Sequence, residues 1–465
     1  MKSNKTQQLI DKSKDTPISP SFCALPWLHL MVQPNGNVQP CCMTPHDMPL
    51  GNTKDITLKE AWNTLTMKNI RKKMLKGERP LHCSRCYLMD DNGAISPRVN
   101  LTEKFNKHIN NLIKDTDPET GHNKHFTLKY WDFRWSNICN FKCRMCGTFA
   151  SSKWEDDEIA LHGKSQDGLM NFRSESQEDV FKYVDEYINE VEEVYFAGGE
   201  PLIMDEHYLI LEKLIAAGRT DVVLRYNTNF SHIKFKKWDL EKLWQHFIDD
   251  PKGNVQLFAS LDAAGKLAEV ARHGTKWDIV YNNIQKCVDN GIEVFVSPTI
   301  SILNVFHITD LFDVIFKLGI HPGNIVFNNF LTGPACYDIR ILPDELKDEL
   351  LTKLEKYYHE LDNPTYKEAV GTALSSWVQF LFSESDIDLL QLQINRRELL
   401  RVTTILDKRR KENLLEVNPQ YTSWFEEIRV TIANYETEEQ FFRDRSLPLP
   451  VDNLSGEEVQ PKNLL

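Results

Sequence analysis

The sequence predicts an α/β fold: a partial (β/α)6 TIM-like barrel, with a small N-terminal α+β segment that carries cysteines and a helical C-terminal extension. Between residues 126 and 331, apolar strand-like runs alternate with amphipathic helix-like runs, the pattern of βα units on a parallel sheet. Beyond residue 332 the runs turn mostly helical and charged. Most of the 10 cysteines fall in tight local groups instead of being spread evenly along the chain.

Residues 1–20 are polar, contain Pro17 and Pro20, and read as a mobile lead-in. Residues 21–95 form the cysteine-bearing segment. There Leu28, Leu30 and Val32 alternate before Pro34, Asn35 and Gly36, with Val38 beyond, which is a hairpin signal. Thr57 and Glu60 make a capping box for a helix whose Leu58, Trp62 and Leu65 share one face and which leads toward Cys83 and Cys86. Residues 96–125 are polar, weakly helical and turn-rich at their end, as expected of a connector.

The barrel is expected over residues 126–335. Its first strand ends in WDFRWSN, and VEEVYFA, DVVLRYN, NVQLFAS, IEVFVSP and NIVFNNF supply the other five of six. Val180, Val184, Tyr187 and Ile188 mark the buried face of the helix before the second strand. Trp131, Phe133 and Trp135 alternate along the first strand and read as packing between barrel and helices. Residues 336–465 form the helical extension, which carries no chemical motif, and the chain has no internal repeat.

A chain of 465 residues can bury a full core and form two or three domains. Its 67 acidic and 55 basic residues give a net charge of -12, which argues against general nucleic-acid binding, because that rests on excess Lys and Arg. The first twenty residues lack the apolar core of a signal peptide, and no stretch approaches the roughly 20 apolar residues of a membrane span. The expected location is therefore cytoplasmic, with no membrane partner. In that reducing compartment, grouped cysteines point to metal or cluster ligation before disulfides.

Cys139, Cys143 and Cys146 follow the first strand with C-x3-C-x2-C spacing, a pattern expected by chance on the order of 0.005 times in such a chain. Three thiolates in one loop suit either zinc with a further ligand or an iron–sulfur cluster with one iron left open. Cys23, Cys41, Cys83 and Cys86 form a second set, with Cys42 beside Cys41 as a competitor. Four thiolates can close either a zinc site or a cluster, and the ligand set is the same for both. Cys287 lies at helical spacing with Trp277, Val280, Ile284 and Val288 and reads as a core thiol. Cys336, after the sixth strand near the expected catalytic mouth, reads as a core thiol or as a reactive one.

Candidate ligand-binding residues stand at later strand ends. Gly198 and Gly199 permit close backbone approach, and Glu200 can accept from an ammonium group. Thr228, Asn229, Ser260 and Asp262 follow the next two strands. Arg272 suits a carboxylate because its fork donates twice. Asn304 is a weaker candidate after the fifth strand.

With the three-cysteine motif and Gly198-Gly199-Glu200 in place, residues 126–331 resemble the radical S-adenosylmethionine (SAM) superfamily. The resemblance implies that Cys139, Cys143 and Cys146 hold a four-iron, four-sulfur (4Fe-4S) cluster whose open iron binds SAM. It also implies that Glu200 and its glycines meet the SAM amino group, while Thr228, Asn229, Ser260, Asp262 and Arg272 meet ribose and carboxylate. Met145 stands where the family usually has an aromatic residue beside the adenine, and its polarizable sulfur can pack on a ring. The implied activity is reductive cleavage of SAM to a 5′-deoxyadenosyl radical that abstracts hydrogen from a substrate, with electrons from a reductase or flavodoxin-like protein.

The stretches CALPW, PNGNVQPCC and CSRC, with the helix containing Trp62, resemble the Twitch or shortened SPASM auxiliary-cluster module over residues 22–93. That resemblance implies a second 4Fe-4S cluster on Cys23, Cys41, Cys83 and Cys86. In relatives the module usually follows the barrel, whereas here it precedes it. A ribosomal peptide or protein is the implied substrate, with a small molecule such as an aminosugar as the alternative. A non-enzymatic iron–sulfur electron carrier and a zinc-stabilised interaction protein are the rival readings, and the GGE motif and barrel pattern speak against both.

Overall fold

A computed structural model describes residues 19–91, 95–164, 176–383 and 389–433, so the lead-in expected over 1–20 lies outside the described residues up to residue 18. Two compact units divide the chain. One gathers Met1–Asn137, Asn171–Tyr226 and Leu240–Val255, and the other Ile138–Met170, Asn227–Asp239 and Gln256–Leu465.

In the first unit, the expected hairpin forms from His29–Val32 and Asn37–Gln39, with Val32 opposite Val38. Gly36 closes its turn at φ 83°, a value that favours glycine. The strand His29–Val32 then pairs in parallel with Tyr130–Phe133, placing Leu30 beside Trp131. All four of its residues are buried, because neighbours cover both faces, and the apolar alternation of its sequence is not matched by an exposed side. From Tyr130–Phe133 the sheet continues in parallel through Glu193–Phe196 to Val223–Thr228, the first three expected barrel strands.

The capping box holds, with Thr57 Oγ1 accepting from Glu60 N and Glu60 accepting from Thr57 N. The helix is shorter than expected. It runs Leu58–Trp62, and a second helix, Leu65–Leu75, starts afresh behind Thr64, whose hydroxyl accepts from Met67 N. The break rotates Leu65 off the apolar face, leaving it 81% exposed, while Leu58 and Trp62 are buried. Residues 97–114 form two helices, Pro97–Lys104 and Asn106–Lys114, and put Phe105 and Ile109 into one core with Phe22, Trp27, Ile70, Met74 and Tyr87.

Trp131, Phe133 and Trp135 are buried, with Trp135 stacked on Phe181. Val184, Tyr187 and Ile188 are buried beside them on the expected helix face, and the side chain of Val180 lies outside the described ones.

In the second unit, the end of Asn254–Ala259 pairs in parallel with Glu293–Val296. The sixth run, NIVFNNF, forms no ladder. It makes only isolated parallel bridges, Val296 to Ile325 and Ile300 to Phe330. Three asparagines weaken it as a strand, and the indole of Trp377 takes the Phe327 carbonyl at 2.7 Å. Phe330 stacks on Phe380 of the helix Pro364–Leu381 instead of facing a further strand. The long helices of the described part of the extension are Asp344–Glu360, Pro364–Leu381, Leu389–Arg410 and Thr422–Ala433. Among the described residues no helix is long and apolar enough to cross a membrane.

Candidate functional site

The three-cysteine loop belongs to the second unit and is pinned through its backbone. Lys142–Cys143 forms a short strand paired antiparallel with Arg272–His273, with Cys143 opposite Arg272. Arg144 N donates to Ala271 O at 2.8 Å, Trp154 Nε1 to Cys143 O at 2.9 Å and Ser151 Oγ to Phe141 O at 2.6 Å. Gly274 permits the approach: at φ 107°, a Cβ there would stand 2.9 Å from the Phe141 ring and 3.0 Å from the Asn140 carbonyl.

With the backbone held, the thiols of Cys139, Cys143 and Cys146 remain partly accessible. Cys139 Sγ accepts from Phe141 N at 3.4 Å, and Arg272 Nη1 donates to Cys143 Sγ at 3.6 Å. Loss of water raises the Cys143 thiol, against the lowering effect of Arg272, and pushes Cys146 up to about 12, with Cys143 adding to the rise. Such thiols stay protonated in the metal-free chain and become thiolates when a metal centre displaces the proton.

Of the residues expected at later strand ends of this unit, Asn229 and Arg272 reach the same loop directly. Asn229 Nδ2 donates to Asn140 Oδ1 and Asn140 Nδ2 to Ser231 Oγ, both at 2.9 Å, so Asn229 braces the spacer between the first two cysteines. Thr228 Oγ1 accepts from Phe230 N, and its carbonyl accepts from Ser260 N at 2.8 Å. Phe230 sits at φ 55°, with its carbonyl taken by Asn283 Nδ2. Asp262 is buried and accepts from Arg272 Nε at 2.7 Å and from Thr299 N at 2.8 Å. Arg272 therefore stands between a carboxylate and a cysteine sulfur. Asn304, also buried, donates to the Asp262 and Thr299 carbonyls and acts as a brace. Met145 is half-buried in the loop.

The glycine-rich turn lies in the first unit. Gly198 and Gly199 have φ of 83° and 51°, and a Cβ at Gly198 would fall 2.7 Å from Arg134 Cβ. Glu200 is buried, and its Oε1 accepts from Leu202 N at 3.1 Å, capping the turn Pro201–Ile203. Gly198→Ala should cost about 2 kcal/mol from backbone strain, read as an earlier midpoint in chemical denaturation.

The same unit holds a cavity lined by Cys23, Cys41, Cys42, Cys83 and Cys86 together with His29, Arg98 and Tyr130. Cys23 precedes the turn Leu25–Trp27, Cys41 follows the hairpin, and Cys83 and Cys86 bracket the start of the helix Ser84–Asp91. Burial is the main cause raising the Cys23, Cys41 and Cys83 thiols, and it pushes Cys86 up to about 11. Cys83 is raised further by Cys41, Cys23 and Cys86, so the four expected thiols act on one another across one space.

None of the ten cysteines is joined in a disulfide. Soft donors gathered round a cavity fit an iron–sulfur cluster. Sequence reasoning missed Arg98, whose guanidinium ties Asp90 to the Phe22 carbonyl beside Cys23. It lies in the presumed connector, where no motif marks it. Cys287 is a core thiol, as expected. Cys336 is buried as well, and burial raises its thiol, with Glu398 adding to the rise and Arg401 opposing it.

The family model of the radical SAM superfamily matches residues 133–315, the span that begins at the first barrel strand and contains both the cysteine loop and the glycine-rich turn. The chain carries a radical SAM domain. Residues 23–87 match the SPASM iron–sulfur cluster-binding domain, so an auxiliary-cluster domain precedes the radical SAM domain in this chain.

No curated protein matches the chain. Among solved structures, Streptococcus suis SuiB bound to S-adenosylmethionine is similar at 14% identity over 65% of this chain and 61% of that one, with a TM-score of 0.30. SuiB bound to precursor peptide SuiA is similar at 14% identity over 64% and 61%, with a TM-score of 0.28. Native anSMEcpe with bound AdoMet and Cp18Cys peptide is similar at 16% identity over 49% and 57%, with a TM-score of 0.31. The match thus spans about three fifths of the length of these structures.

Proposed function

We propose that the protein is a radical SAM enzyme in which Cys139, Cys143 and Cys146 hold the SAM-binding 4Fe-4S cluster and Cys23, Cys41, Cys83 and Cys86 hold an auxiliary cluster. One observation carries the reading: inside the radical SAM domain, three thiols rise from a single loop whose backbone is pinned by Ala271, Trp154 and Ser151. Three protein thiolates satisfy three irons and leave the fourth for SAM. When bound, the cluster supplies the electron that splits SAM, and the 5′-deoxyadenosyl radical so released takes a hydrogen atom from the substrate.

The chain's own residues bind and orient. Arg272, held by Asp262, donates to the Cys143 sulfur and would offer positive charge to the SAM carboxylate. Glu200 and the backbone of Gly198 and Gly199 receive the SAM amino group. Thr228, Asn229 and Ser260 set the wall for the ribose, and Met145 packs on the adenine. The SPASM domain supports a peptide or protein as substrate, and the radical SAM domain supports a reductase or flavodoxin-like protein as electron donor.

The test is anaerobic purification and reconstitution, which should yield about eight irons per chain. Dithionite and SAM should then give 5′-deoxyadenosine, and a precursor peptide encoded beside this chain should be converted. Iron with no nucleoside, with or without candidate peptides, leaves an electron carrier. Zinc without iron leaves a scaffold.

A further inference from the structure

Two cations flank Cys143 in the cluster loop: Arg144 is held by carboxylates at the end of the helix Leu389–Arg410, and Lys142 by Asp157, a carboxylate that the last two arginines of that helix also engage. The Arg144 side chain is fully buried. Its Nη2 pairs with Asp407 and, at 2.8 Å, with Glu412, while its Nε donates to Val270 O at 3.1 Å. Lys142 pairs with the buried Asp157 at 2.9 Å, and the same carboxylate accepts from Arg409 and Arg410 at 3.0 Å each. Arg410 also lies over the Trp154 ring, whose Nε1 holds the Cys143 carbonyl. On the opposite strand His273, the register partner of Lys142, pairs with Glu412 at 2.5 Å.

The helix end is shaped for this. Lys411 takes a left-handed conformation at φ 54°, and Glu412 N donates back to Asp407 O at 3.0 Å, the six-to-one bond of a Schellman cap. That bond fixes the two carboxylates side by side, so that both reach one guanidinium. A buried guanidinium needs paired, well-placed acceptors, because removing one leaves an uncompensated charge.

We propose that Asp407 and Glu412, on this helix cap, are positioning residues that set the conformation of the three-cysteine loop, so that the C-terminal extension is part of the cluster site. The proposal rests on the radical SAM reading of that loop. The cap turns Arg144 into a fixed post beside Cys143 and Cys146, and the loop's sulfurs keep their spacing because its cations cannot swing.

The test is the full-length Asp407→Asn/Glu412→Gln variant, reconstituted and compared with the parent by hydrogen exchange, by electron paramagnetic resonance of the reduced cluster with SAM, and by SAM cleavage. Amides of residues 140–147 should exchange about tenfold faster, while those of 23–87 keep the parent rate. The resonance should change shape and cleavage should fall about tenfold. Glu398→Gln, which breaks an ion pair with Arg401 on the same helix, serves as the control and should leave the loop's exchange unaltered. Unchanged exchange in the double variant, or equal acceleration in the control, overturns the proposal. If the double variant does not fold, Glu412→Gln alone is read in the same way, with a change of about threefold expected because Asp407 remains. Should the parent itself make no 5′-deoxyadenosine, the reading of the site's function fails, and the exchange data still decide whether the cap holds the loop.

Discussion

Cys139→Ala should abolish 5′-deoxyadenosine formation, by at least about a thousandfold, and lower the iron content from about eight to about four per chain. The thiol is the only part of the loop's ligand set that this substitution removes. The anchors that shape the loop, Arg144 N on Ala271, Trp154 on Cys143 O and Ser151 on Phe141 O, are untouched, so the fold of the loop should persist. Two remaining thiolates cannot retain a cluster that needs three protein ligands with SAM on the fourth iron. The iron left should belong to the auxiliary cavity, whose cysteines come from a separate stretch of chain. Chromatographic quantification of the nucleoside, with iron analysis on the same sample, reads both effects. Cleavage above about a tenth of the parent rate would remove Cys139 from the ligand set.

Cys86→Ala has the opposite signature. SAM cleavage should stay within about threefold of the parent, while conversion of a peptide substrate drops by about a hundredfold or more. Cys86 is one of four mutually interacting thiols round the auxiliary cavity, and a cluster closed by four cysteines has no open iron for SAM. The first unit should also lose thermal stability, because a centre bound only by the folded chain stabilises it and its loss removes that contribution. Nucleoside and modified peptide are measured from one reaction. Equal loss of both products would contradict the division of labour between the two cysteine sets.

Local signals in the sequence were read correctly where neighbouring residues decide the outcome. Pro34-Asn35-Gly36 makes its hairpin turn, Thr57 and Glu60 make their capping box, and five of six expected barrel strands form ladders. The misses have two causes, competition from partners remote in sequence and a stronger local cap. Leu65 left its expected face because Thr64 caps a new helix. NIVFNNF lost its ladder because Trp377, 50 residues on, takes the Phe327 carbonyl. Asn229, expected at the ribose, also braces Asn140 in the cysteine loop, a pairing of residues 89 apart that no spacing rule reveals.

By itself the sequence determined the donor chemistry and its grouping: which sulfurs share a loop, where glycines permit left-handed turns, and where each strand begins. Those properties follow from residue type and short-range geometry. Only the tertiary structure decided that a hairpin from the cysteine-rich segment adds a parallel strand beside the first barrel strand, that Arg98 closes over the auxiliary thiols, and that a helix cap more than 260 residues downstream grips Arg144. Each depends on burying a charge or a backbone edge against a partner supplied by folding. A buried guanidinium or an unpaired strand edge must find its acceptor, but the chain's order does not say which one.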